Sequence, residues 1–83
     1  MSPEPLLRMA NQIGAFFETM PDHDEALQDI ATHLKKFWEP RMRRALLAHI
    51  DAQGNAGLNP LVAEAIARHR ALIADEPANR QLP

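Results

Sequence analysis

Four histidines, His23, His33, His49 and His69, are the side chains best suited to hold a metal or move a proton near neutral pH. His33, His49 and His69 fall on or beside the apolar stripes of their segments, and His23 lies in a first helical turn. No two stand four residues apart, and no H-E-x-x-H pattern occurs. Neutral histidines hydrogen-bonded at a core margin account for this spacing better than a ligand set. The acids Asp22, Asp24 and Glu25 are close together, but as helix-start charges they need no catalytic role. Cysteine and tyrosine are absent, and the only serine is Ser2. Disulfides, zinc knuckles, iron–sulfur ligation and thiol catalysis are excluded in this chain. The residues predict neither a metal site, a cofactor site nor a catalytic centre.

Binding is better represented. Lys35 to Arg44 places five cations, Phe37 and Trp38 in ten residues with one acid, in a chain of net charge −2. Such a run is often a solvated face. Arginine makes bidentate contacts to carboxylate or phosphate, however, and tryptophan with arginine is a common hot-spot composition. Arg43 points near the side expected to be buried, while Arg41 and Arg44 project to the other. A protein contact through Phe37, Trp38, Arg41, Arg43 and Arg44 is the favoured reading. Nucleic-acid binding by the same segment is the alternative, weakened by the negative net charge and the lack of a basic stripe elsewhere. Asn11 and Gln12 add a smaller hint. Asn11 faces away from its helix's stripe, towards either solvent or another chain.

These residues have to be positioned by a small scaffold. Eighty-three residues allow one domain, and folding at this size buries only about 60% of the chain's surface. Without a disulfide or metal staple, a partner often completes such a fold. The periodicity predicts an all-α bundle of three to four short amphipathic helices. Leu6, Met9, Ala10, Ile13, Phe16, Phe17 and Met20 form one stripe, giving a helix over about 5–20. Asp22 with Glu25 resembles a capping box opening a helix over 22–38, with Ala26, Leu27, Ile30, Leu34 and Phe37 inward. Pro40 starts a third, over 40–53, ended by Gly54. Asn59 and Pro60 start a fourth, over 60–74, burying Leu61, Val62, Ala65, Ile66, Leu72 and Ile73. Residues 6–74 make the domain, with 1–5 and 75–83 as flexible ends. No leader or membrane-span pattern is visible, so a cytoplasmic location is the default.

Particular words in the sequence go further. Arg8-Met9-Ala10-Asn11-Gln12-Ile13-Gly14 followed by Phe16-Phe17 resembles the opening motif of the delta subunit of NAD-dependent formate dehydrogenase. Ile30-Ala31-Thr32-His33-Leu34, running into Phe37-Trp38-Glu39-Pro40-Arg41-Met42-Arg43, and then Gly57-Leu58-Asn59-Pro60-Leu61-Val62, continue the resemblance across about Leu6 to Ala74. It implies a non-catalytic accessory subunit of a soluble, molybdenum-containing complex. In such complexes the alpha subunit carries bis-molybdopterin guanine dinucleotide and iron–sulfur clusters. The beta and gamma subunits hold further clusters, FMN and the NAD site. The delta subunit is implied to bind the alpha subunit and support assembly, or insertion or retention of the molybdenum cofactor. Neither nucleic acid nor membrane is an expected partner.

Overall fold

The computed structural model describes residues 3–74, which form α1 (Pro3–Phe17), α2 (His23–Phe37), α3 (Pro40–Gln53), α4 (Pro60–Arg68) and α5 (Arg70–Ala74). The expected all-α class is what the chain adopts, with no strand among the described residues. The expected tail over 75–83 lies outside them, as do Met1 and Ser2, whereas Pro3 to Pro5 belong to α1.

Local chemistry sets most boundaries. Pro21 disfavours α geometry at Met20. Accordingly, α1 ends at Phe17 rather than Met20, and the chain winds into tighter bonds, Thr19 N–H to Phe16 C=O and Met20 N–H to Phe17 C=O. The Thr19 hydroxyl donates to the same Phe16 carbonyl at 2.9 Å. Asp22 caps α2 by accepting the Glu25 N–H at 3.0 Å. Pro40 occupies the start of α3, and Gly54 ends it at φ +84°, a conformation that favours glycine.

The fourth predicted helix is broken in two. His69 leaves helical geometry at φ −117°, ψ 34°, and its carbonyl accepts from both Leu72 and Ile73. The break shifts the downstream phase. Ile73 is fully buried, but Leu72, expected inside, is exposed.

α2 lies at the centre, packed against α4 and α5, while α1 packs on α2, α3 and α4. Leu27, Ile30, Leu34, Leu46, Val62 and Ile73 are the large side chains sealed in the core. Each such burial contributes about 1.5–3 kcal/mol. Two members of the α1 stripe do not join that core: Met9 is exposed, and Phe16 is 69% exposed. Phe37, expected inward on α2, is 70% exposed.

Candidate functional site

α1 presents two different sides. One carries Asn11, Gly14 and Glu18, spaced at three and four residues and hence aligned. The Asn59 N–H donates to Asn11 Oδ1 at 2.7 Å, and Asn11 Nδ2 donates to the Gly57 carbonyl at 2.9 Å. Asn59 Nδ2 donates to Glu18 Oε2 at 2.7 Å. Asn59 Oδ1 meanwhile caps α4, accepting from Leu61 N–H at 2.8 Å. Gly14 lets this approach happen: a Cβ there would stand 2.6 Å from Asn59 Cγ and 2.7 Å from Val62 Cγ2. Gly57, at φ +81°, shapes the turn that delivers Asn59, closed by Leu58 N–H to Asn55 C=O. This side is structural.

The other side opens a groove. Met9, Gln12, Ile13, Phe16 and Phe17 of α1, His33 of α2 and Trp38 line a cavity of about 460 Å³. Its rings form a continuous series. Phe16 meets Phe17 edge-on at 5.0 Å between centroids, Phe17 meets His33 at 6.3 Å, and His33 meets Phe37 at 4.8 Å. Offset and edge-on ring pairs each contribute about 0.5–1.5 kcal/mol. The outer rings, Phe16 and Phe37, keep most of their surface in water. That is an unfavourable exposure for a monomer unless something covers it.

The structure divides the expected contact residues. Trp38 is only 5% exposed: its side chain belongs to the core and to the groove floor. Arg43 is also 5% exposed, with Nε donating to the Trp38 carbonyl at 3.2 Å and Nη1 to the Ile73 carbonyl at 2.8 Å. It clamps the ends of α2 and α5 together, which suits a cation at carbonyl-bearing helix termini. Asn11 is half-buried and occupied by the Gly57–Asn59 turn. Of the expected contact residues, Trp38, Arg43 and Asn11 are thus placed in contacts within the chain itself. Gln12, Phe37, Arg41 and Arg44 are exposed.

Charge is unevenly arranged. Arg68 pairs with Asp24 at 3.0 Å, His23 with Glu64 at 2.9 Å, and Arg70 with Asp51 at 2.7 Å. Among the described residues, Arg8, Lys36, Arg41 and Arg44 make no ion pair. His33 is taken up between Phe17 and Phe37, and His69 caps α4. No group of three or more His, Cys, Asp or Glu among the described residues is arranged to hold a metal ion. No helix there is long and apolar enough to cross a membrane.

Fold and surface together define a small all-α bundle whose distinctive features, among the described residues, are an apolar groove and four exposed cations without ion pairs. Neither a curated protein nor a solved structure matches it. A family does, over residues 5–66: that of the NADH-dependent formate dehydrogenase delta subunit, FdsD. The chain belongs to this family, as its motifs led us to expect.

Proposed function

We propose that the chain is a non-catalytic accessory subunit that docks on the large catalytic (alpha) subunit of a cytoplasmic formate dehydrogenase complex. In this reading it supports assembly of the complex, or insertion or retention of its molybdenum cofactor. Membership of the delta-subunit family carries the proposal, and the exposed rings of Phe16 and Phe37 supply a surface for it. The bis-molybdopterin guanine dinucleotide, iron–sulfur clusters, FMN and NAD are assigned to the alpha, beta and gamma subunits. A chain without cysteine has no thiolate to give a cluster.

The mechanism is binding. A subunit that binds only the cofactor-competent conformation of its partner raises the population of that conformation by mass action. The groove and the exposed Phe37, Arg41 and Arg44 provide the contact. A pull-down of the tagged chain from its native cells, with mass spectrometry and molybdenum analysis, tests the reading. Recovery of a large molybdenum- and iron-containing dehydrogenase is expected. Recovery of the chain alone, or with nucleic acid, would overturn it.

A further inference from the structure

The groove carries enough detail to describe what fits it. From Met9 to Phe16 it runs seven residues along α1, about 10 Å, the length of two helical turns. Its volume, about 460 Å³, exceeds what a single small side chain would fill. Polar groups are few, chiefly Gln12 and the ring of His33. An occupant therefore brings apolar side chains first.

The charge on the segments that build it is the second constraint. Arg8 lies one helical turn before Gln12, and Lys36 is next to Phe37. Arg41 and Arg44 follow three and six residues after Trp38. Lys35 is a fifth cation on these stretches, and Glu4, Asp29 and Glu39 are their acids. That leaves an excess of two positive charges, against −2 for the whole chain. The cations of α4 and α5 are neutralised by ion pairs, whereas Arg8, Lys36, Arg41 and Arg44 are not.

We infer that the groove receives an acidic amphipathic helix of the partner subunit. Its apolar anchors pack against Met9, Phe16 and Phe37, and its carboxylates meet Arg8, Lys36, Arg41 and Arg44. This rests on the reading that the chain docks on a larger subunit. It goes further by fixing the chemistry of the segment bound. Helix-in-groove recognition uses anchors at three- and four-residue spacing, which a two-turn groove accommodates. A second copy of this chain is a poorer occupant, because it would bring the same positive excess onto itself.

The test places the photocrosslinker benzoylphenylalanine at the exposed Gln12 of the full chain, in cells making the whole complex. Mass spectrometry should find a crosslinked partner peptide that is amphipathic and richer in Asp and Glu than in Lys and Arg. A crosslink to a second copy, to nucleic acid, or to a basic or non-amphipathic peptide overturns the inference. So does the absence of any crosslink from a variant that co-purifies normally. In parallel, Phe16→Ala with Phe37→Ala, and separately Arg41→Glu with Arg44→Glu, should each lower co-purification about tenfold or more. Circular dichroism would confirm that both variants fold. If even the unaltered chain fails to recover the dehydrogenase, the accessory-subunit reading falls and takes this inference with it. If the unaltered chain recovers it and folded double variants do so equally well, only the groove assignment falls.

Discussion

Asn59 caps α4 while resting on Asn11: its backbone N–H donates to Asn11 Oδ1 at 2.7 Å, across 48 positions of sequence. One asparagine thus begins a helix and another fixes where that helix begins. The pairing joins two of the motifs on which the resemblance rests, one on α1 and one at the α3–α4 turn. Its consequences for stability are measurable.

Asn11→Ala removes an acceptor from the Asn59 N–H and a donor from the Gly57 carbonyl. Water can replace the bond to the exposed Gly57 carbonyl, but leaving the part-buried Asn59 N–H unpaired costs about 1–3 kcal/mol. Urea unfolding should show a lower midpoint with little change in slope. An unchanged midpoint would mean that the turn holds itself.

Gly14→Ala should destabilise as well, against the usual trend. Alanine in a helix interior normally gains about 1 kcal/mol over glycine. Here the new Cβ would lie 2.6 Å from Asn59 Cγ, an atom held by bonds on several sides. Overpacking of this kind costs about 1–3 kcal/mol. A thermal melt checks the sign, and the effect should be less than additive with Asn11→Ala because both act on Asn59.

Arg43 and Arg41 are two residues apart and should behave oppositely. Arg43→Met strips the Trp38 and Ile73 carbonyls of a shared donor and should cost about 2–4 kcal/mol. Arg43→Lys should not rescue it, since an ammonium lacks the fork that reaches both oxygens. Arg41→Ala should leave unfolding within about 0.5 kcal/mol of the parent, because Arg41 is exposed. Equal losses from Arg41→Ala and Arg43→Met in urea would contradict this division.

Phe16→Ser and Phe37→Ser should be tolerated by the fold for the same reason, each costing no more than about 1.5 kcal/mol, the loss of one ring pair. They should reduce concentration-dependent self-association of the isolated chain, seen by analytical ultracentrifugation, since both rings are exposed apolar surface. Stronger association after either change would show that the sticky surface lies elsewhere.

The sequence was readable where a single residue type forces a local outcome. Pro40, Pro60, Asp22, Asn59 and Gly54 mark helix ends because each either lacks a donor, supplies one acceptor or accepts positive φ. Residues whose role depends on a distant neighbour were harder to read. Periodicity put Phe16 and Phe37 inward with Ile13 and Leu34, since it has no means of knowing that the bundle stops short of them. Arg43 was placed beside the buried side, yet nothing local announces the Ile73 carbonyl, 30 positions away. Gly14 stands inside a motif and Glu18 on the polar side of its helix, but nothing local announces Asn59 as their neighbour. His69 broke the last helix without a proline or glycine to mark it.

The two sides of α1 are physically separate but interleaved in the text of the gene: 9, 12 and 16 serve the groove, while 11, 14 and 18 serve the Asn59 seat. Substitutions can therefore alter one side and spare the other. Length changes cannot. One codon gained or lost between Asn11 and Gly14 would rotate everything beyond it by about 100° about the helix axis. Gly14 and Glu18 would leave Asn59 in the same step that swings Phe16 out of the groove. α1 can accordingly be altered by replacement on one side at a time, whereas an insertion or deletion within it disturbs both sides at once.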